Sequence, residues 1–258
     1  MVQEEAESCV RYCQLQWALR FLGFLALIVG ILATLLVRQR GVAEKHIQYR
    51  IFDLSVLRIP GFALYLAFCF LQFFGFVTPL FFIPRSPVIG LSATTASGVL
   101  SVTTALNAVG RIIAGFMADR VGPLNVLIVL YVLTGLMCIF IWLFANSVGV
   151  MMAFGILWGL FSGPYWSLAV PTTAKIVGME KLGSAVAIQF LMNVIPPIFA
   201  VPIGSRLIAE TAAMYQIPEE SGKAYRFLII WCALVPILAA TLLVLVRLRF
   251  SKRLWVKV

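Results

Sequence analysis

The sequence has few charged residues and a single histidine, His46. Charged residues make up 12% of the chain, whereas a soluble domain carries about a quarter. The five cysteines are not spaced as metal ligands, and no Ser/His/Asp set or phosphate-binding loop is evident. We therefore expect that the protein is not an enzyme and that it has no metal site and no cofactor.

Long apolar runs take the place of the missing charges. Hydrophobic residues make up 62% of the chain, and its mean hydropathy is +1.02. About 20 helical residues cross the hydrocarbon of a bilayer. Seven runs approach or exceed that length, at 15–37, 59–83, 93–117, 124–144, 148–170, 184–205 and 227–246. The sequence predicts an all-α, polytopic transmembrane bundle of seven helices. In the lipid bilayer, the net charge of +10 gives no reason to expect a nucleic-acid partner.

Polar segments divide the chain into four parts. Residues 1–37 are a polar tail and the first span, 38–58 a basic connector, 59–246 six further spans and 247–258 a basic tail. If the N-terminus is outside, the cytoplasmic segments hold 13 of the 20 lysines and arginines and the outer segments hold 5. Because basic loops stay in the cytoplasm, we expect the N-terminus outside and the C-terminus in the cytoplasm. We expect a multi-pass protein of the plasma membrane.

The connector 38–58 has two interpretations. Ile47, Ile51 and Leu54 recur at helical spacing, which is typical of a short helix in the membrane interface. A solvated linker that obeys the charge rule for cytoplasmic loops explains the same composition.

Polar residues follow one side of the third span. They are Ser97, Ser101, Thr104, Asn107 and Arg111. A charge at membrane depth costs about 2.5–3.5 kcal/mol, so Arg111 is a candidate functional residue. A guanidinium stays charged and matches a carboxylate with two donors, which indicates an anionic substrate. In the alternative interpretation, the small polar residues pack against helices and Arg111 extends to the cytoplasmic surface.

The fifth and sixth spans hold further candidates. Tyr165 either lines a cavity or belongs to the aromatic belt at the membrane interface. Gln189 and Asn193 share one face of the sixth span, where they either bond to neighbouring helices or contact the substrate.

Glycine and proline positions predict how these two spans pack and where one breaks. Gly155, Gly159 and Gly163 recur at every fourth position, a spacing that lets two helices approach closely. Pro196-Pro197 lies inside the sixth span and predicts an interruption of its hydrogen bonds. Broken helices are tolerated at membrane depth only where protein or a water-filled cavity surrounds them, which favours a transporter or channel.

The turn after the third span carries Gly115-x-x-x-Asp119-Arg120-x-Gly122. We expect Gly115 to stand where backbones come close, and Asp119 and Arg120 to exchange partners at the membrane edge. This pattern resembles the cytoplasmic signature of the major facilitator superfamily, in the copy between its eighth and ninth helices. Other stretches are similar to the fungal monocarboxylate-transporter-like branch: LQWALRFLGF (15–24), FVTPLFFIP (76–84), NAVGRIIAGFMADRVGPLN (107–125), GILWGLFSGPYWSLAVP (155–171) and EKLGSAVAIQF (180–190).

The resemblance implies that the seven spans are helices six to twelve of a twelve-helix transporter, with 59–246 as its C-terminal half. Its implied activity is alternating-access movement of a monocarboxylate or related small organic anion, either facilitated or coupled to protons. The resemblance implies that Arg111 binds the substrate carboxylate beside Asn107, and that Gly115, Asp119, Arg120 and Gly122 form the gate. Thr104, Gln189, Asn193 and Tyr165, which the residue pattern singles out, complete the candidate substrate-binding set.

Two departures from the family pattern bear on mechanism. Asn107 stands where animal members carry an aspartate, so proton coupling through the Arg111 pair is not expected. Pro123-Leu124 replaces the basic residues that usually follow the signature, which implies a weaker cytoplasmic latch. In that latch Asp119 is expected to meet the start of the sixth span near Gly183-Ser184, where the helix dipole is positive.

The seven spans leave five helices of the family fold unaccounted for. Three interpretations follow: a truncated gene product, a fragment that pairs with a second transporter half, or a unit that pairs with itself. A non-transporting membrane partner or regulator is the alternative function. A rhodopsin-like receptor is a weaker alternative, because the seventh span lacks the Asn-Pro-x-x-Tyr pattern.

Overall fold

The computed structural model describes residues 2–36, 53–84, 93–219 and 221–250, with side chains from residue 16 onward except those of 93 and 94. It divides into a unit of residues 1–49 and a unit of residues 50–258. The described part of the first unit is one helix, α1, Val2–Leu36, so helical backbone includes the segment predicted as a polar tail. The interfacial helix predicted around Ile47 and the basic residues 251–258 lie outside the described residues.

The second unit is helical throughout, with no strand in its described part. Its α-helices are α2 (Phe62–Phe82), α3 (Ala93–Val121), α4 (Pro123–Phe140), α5 (Val148–Ser162), α6 (Tyr165–Val177), α7 (Leu182–Met192), α8 (Ile195–Tyr215) and α9 (Arg226–Phe250). Short 3-10 turns precede α2 at Leu54–Arg58, follow α4 at Trp142–Phe144 and precede α9 at Gly222–Tyr225. Together with Gln16–Leu36 of α1, these helices form seven segments that are long and apolar enough to cross a membrane, as predicted.

The fifth span consists of two helices, α5 and α6, although the sequence predicted one. Pro164 has no N–H to donate to the carbonyl group of the preceding turn, so α5 ends at Ser162. The chain tightens there: the Trp166 N–H donates to the Gly163 carbonyl at 3.3 Å, and the Ser167 N–H to the Pro164 carbonyl at 3.2 Å.

The predicted interruption of the sixth span is confirmed, but it precedes the two prolines. The helix α7 ends at Met192 and α8 begins at Ile195. Pro196 and Pro197 occupy the first turn of α8. The N–H groups of a first turn have no carbonyl acceptor within the helix, so the missing N–H of a proline costs little there.

The predicted close packing of the glycine repeat is also confirmed, and its partner is α3. A Cβ added to Gly155 or Gly159 would overlap Thr103, and one added to Gly163 would overlap Asn107. From the opposite side, a Cβ on Gly110 would overlap the Leu160 carbonyl. These four glycines therefore place the backbone of α3 directly against α5 and the start of α6.

The main apolar core lies on the other side of the unit. The helix α9 packs along both α2 and α4, and the core there includes Phe68, Leu127 and Leu243, each with 0% exposure. The helices α3 and α6 each pack on α4 and leave part of their surface exposed, and Arg111 lies on the exposed part of α3.

Candidate functional site

Arg111 is exposed and bonds to one neutral side chain. Its Nη2–H and Nε–H donate to Oδ1 of Asn107 at 2.9 and 3.2 Å. No carboxylate of the described chain forms an ion pair with it. Helical side chains tilt toward the N-terminal end of their helix, and the guanidinium follows that tilt, away from the Asp119–Gly122 turn. The extended geometry of the alternative interpretation, toward the cytoplasmic end, is not adopted.

The break between α5 and α6 lies against the turn of α3 that carries this pair. A Cβ on Gly163 would come within 2.8 Å of Asn107 Oδ1, so the absence of a side chain leaves that oxygen accessible to Arg111. The Ser167 hydroxyl donates to the Pro164 carbonyl at 3.0 Å and lies 3.5 Å from the Arg111 carbonyl. Asn107 packs against Gly163 and is 7% exposed.

Thr104 lies on α3 two turns before Arg111 and is exposed. Its hydroxyl donates to the Leu100 carbonyl of its own helix at 2.8 Å. The oxygen lone pairs remain available to accept a hydrogen bond from outside the bundle.

The other three predicted binding residues form a buried hydrogen-bond network. Asn193 Nδ2 donates to the Tyr165 hydroxyl at 3.0 Å, and Gln189 Nε2 donates to the same oxygen at 3.2 Å. The exposed fractions of Tyr165, Gln189 and Asn193 are 1%, 0% and 6%. Of the two roles left open by the sequence, these bonds correspond to contacts between α6 and α7.

Two residues that the sequence did not single out complete the network. The Thr173 hydroxyl lies within hydrogen-bond distance of Gln189 Oε1 and of the Ala169 carbonyl and donates its one proton to either of them, and the Tyr65 hydroxyl donates to the Ala169 carbonyl at 3.1 Å. A single tyrosine in the Phe-rich second span was the available signal, because a buried tyrosine hydroxyl requires a partner.

A second buried pair joins α2 to α4. The Tyr131 hydroxyl donates to Gln72 Oε1 at 2.7 Å, while Gln72 Nε2 has no hydrogen-bond partner in the structure. Polar bonds thus connect α2 to α4, α6 and α7 across an otherwise apolar interior.

The signature turn contains one glycine with a backbone requirement. Gly122 has φ 97°, a conformation that disfavours residues with a Cβ, and it precedes Pro123 at the start of α4. An added Cβ on Gly115 would meet nothing within 4 Å, so the close approach predicted there is not made with the described part of the chain.

The acid of the signature is not engaged in this structure. Asp119 and Arg120 are exposed and form no hydrogen bond or ion pair within the described ranges. The start of α7 instead contacts the end of the connector: Lys181 Nζ lies 3.7 Å from Asp53 Oδ2 and donates to Ser55 Oγ at 2.7 Å. The expected contact of Asp119 with α7 is therefore not formed here.

Comparisons with known proteins place this geometry in a family context. A model of the Major Facilitator Superfamily matches residues 10–145 and 86–255. The chain is 29% identical to the agnestins efflux protein of Paecilomyces divaricatus, over 93% of this chain and 53% of that protein. It is 29% identical to the fujikurins efflux protein of Gibberella fujikuroi, over 74% and 42% respectively. It is 26% identical to a probable transporter of Saccharomyces cerevisiae, over 68% and 38%. The chain spans about half the length of the curated relatives it matches.

Proposed function

Because the chain belongs to the major facilitator superfamily, we propose that it forms part of a membrane carrier for small organic anions, with Arg111 as the anion-binding residue. The observation that supports this proposal is the exposed Arg111 guanidinium, whose one hydrogen-bond partner in the described chain is the neutral amide of Asn107. An amide orients the cation without neutralising it, so a carboxylate is the group that best completes its bonding. A monocarboxylate is the simplest such ligand.

The polar side of α3 supports a second half of the carrier. Ser101, Thr104 and Arg111 are exposed on α3, and lipid would be a costly neighbour for them. In carriers of this type the substrate lies between two six-helix halves. We assign 59–246 to the C-terminal half and α1 to the sixth helix, with the second half supplied by the same polypeptide or by another chain.

The remaining residues divide by position. Thr104 and Asn107 belong to the substrate side with Arg111, whereas the buried Tyr165, Gln189 and Asn193 shape that site from behind. Gly115, Asp119, Arg120 and Gly122 form the inner gate, in which Asp119 engages α7 only in the inward-closed state. The N-terminus is outside and the C-terminus in the cytoplasm of the plasma membrane.

Proton coupling is not assigned to the pair on α3. An amide does not titrate, so Asn107 cannot exchange a proton with Arg111 or with a bound carboxylate. If transport is a proton symport, the titrating group lies elsewhere in the complete carrier.

Uptake into proteoliposomes tests the proposal. The chain is reconstituted at a density that lets two copies pair as the two halves, and we expect saturable uptake of radiolabelled benzoate, with a loss of at least tenfold in Arg111→Gln. Arg206→Gln, at an exposed arginine of α8, is the matched control and should keep the uptake of the unmodified chain. Equal uptake by Arg111→Gln would overturn the role of Arg111. Saturable benzoate binding without uptake by any form would overturn transport by paired copies of the chain, and absence of both binding and uptake would favour the non-transporting partner or regulator.

A further inference from the structure

An aromatic surface lies beside α6, the helix whose start approaches α3 at the Arg111 carbonyl. We call it the Trp166 shelf; it consists of Trp166, Phe190 and Phe73. The rings of Trp166 and Phe190 are stacked, with centroids 6.5 Å apart and planes 20° apart. Phe73 packs edge-on against Trp166 at 5.6 Å. Trp166 and Phe73 are half-buried and Phe190 is 42% exposed, so the shelf is fixed from behind and open in front.

The shelf and Arg111 flank the exposed side of one helix, α6. At its start, Ser167 approaches the Arg111 carbonyl on α3, while Trp166 packs toward α2 and α7. Val170 lies between these two directions and is 38% exposed. The backbone of α3 at Arg111 and the rings of the shelf therefore lie on the two flanks of α6, about the width of one helix, ~10 Å, apart.

Trp166 also differs from Trp142 and Trp158 in its polar atom. The indole N–H groups of Trp142 and Trp158 are sealed inside the bundle without a partner. The Trp166 N–H is not sealed, and it donates to no other residue of the described chain. A ligand lying on the shelf can therefore receive a hydrogen bond from it as well as a ring contact.

We propose that the substrate is a planar aromatic anion, with its carboxylate on Arg111 and its ring system on the Trp166 shelf. This inference rests on the proposed function, since it specifies the substrate class of the same site. Aromatic rings pack on indole and phenyl rings through offset or edge contacts that a puckered, saturated ring cannot reproduce. The shelf selects for planarity and Arg111 for charge.

A matched pair of ligands separates these two contributions. The probes are 2-naphthoate and decahydro-2-naphthoate, which have the same charge and carbon skeleton but differ in planarity. Binding to the full chain in lipid nanodiscs is measured by titration calorimetry, with empty nanodiscs subtracted for partition into lipid. We expect the unmodified chain to bind 2-naphthoate at least tenfold more tightly than the saturated analogue.

Variants then assign the preference to residues. Trp166→Leu and, separately, Phe190→Leu should reduce the preference to threefold or less by weakening 2-naphthoate alone. Trp231→Leu is the control, since Trp231 packs on Phe74 and makes no ring contact with the shelf. Phe190→Leu keeps the test valid if Trp166→Leu fails to fold, because the Phe190 side chain is substantially exposed.

The possible outcomes distinguish this inference from the proposed function. Equal affinity of the unmodified chain for both probes, with both weakened by Arg111→Gln, would overturn the shelf and leave the anion site intact. A planar preference that survives both shelf variants would also overturn it. Binding of both probes that does not depend on Arg111 would overturn the anion site itself.

Discussion

The Tyr165 hydroxyl accepts a hydrogen bond from the Asn193 side-chain amide at 3.0 Å, and each residue stands directly beside a break in its span. Tyr165 begins α6 after Gly163-Pro164, and Asn193 follows the last residue of α7. Gln189, one turn earlier in α7, donates to the same hydroxyl. The two interrupted spans are thus joined at the points where their own helical hydrogen bonds are lost.

A double-mutant cycle should measure this coupling. Tyr165→Phe and Asn193→Leu each remove one side of the bond, and we expect a coupling free energy of about 1 kcal/mol, since interhelical bonds in membranes reach ~0.6–1.7 kcal/mol. Unfolding is followed by maleimide labelling of the buried Cys69, Cys138 and Cys232 in a Cys9→Ser, Cys13→Ser background.

Tyr131→Phe combined with Asn193→Leu is the control cycle. The Tyr131 hydroxyl bonds to Gln72, on a different pair of helices, so the two changes should add. Additive effects in both cycles would show that the Tyr165–Asn193 bond does not couple the two breaks.

The glycine repeat of α5 allows a test of close packing with an internal control. Gly159→Ala places a methyl group against the backbone of Thr103, which cannot move without displacing α3. We expect a loss of about 1–3 kcal/mol in stability, the usual cost of overpacking. Gly149→Ala, at a glycine of the same helix with nothing within 4 Å, should be neutral or stabilising.

The same labelling assay compares these two variants. If Gly159→Ala is as stable as Gly149→Ala, the contact between α3 and α5 is looser than the structure has it. The expected order of unfolding temperatures is Gly159→Ala below the unmodified chain, with Gly149→Ala equal to it or above.

Asp119 offers a test of the inner gate that is separate from folding. Because Asp119 is exposed and unpaired within the described chain, Asp119→Asn should leave the unfolding temperature unchanged. Benzoate uptake should fall severalfold, since the inward-closed state would lose the attraction between the carboxylate and the N-terminus of α7. Glu210→Gln, an exposed acid in α8, should have neither effect. Unchanged uptake in Asp119→Asn would remove Asp119 from the gate.

Local patterns predicted the seven spans and the tight packing of the glycine repeat, but not the break in the fifth span or the open surroundings of Gly115. The length of an apolar run decides whether it crosses the bilayer, and the four-residue spacing of Gly155, Gly159 and Gly163 places them on one side of a helix. The break in the sixth span was also readable, because the prolines lack an N–H. The position of that break, before Pro196, was not readable from the sequence. A helix can end just before a proline pair, or a new helix can begin with the prolines in its first turn.

Other features depended on which helices cross. The Leu160 carbonyl, which Pro164 leaves without its usual helical donor, lies against Gly110 of α3, and the sequence does not specify that partner. Gln189 bonds to Tyr65 from 124 residues away, so only the folded chain distinguishes a helix contact from a substrate contact.

By itself the sequence determined that this is a helical membrane protein with seven spans and a cationic side chain within the third, because hydropathy and spacing are properties of each segment alone. The tertiary structure decided that Arg111 bonds to Asn107 and stays open on the other side, and that Tyr165, Gln189 and Asn193 bond to one another. Hydrogen-bond partners and exposure depend on which helices are neighbours and on how far each is shifted along the other. Both are set by the packing of the whole bundle.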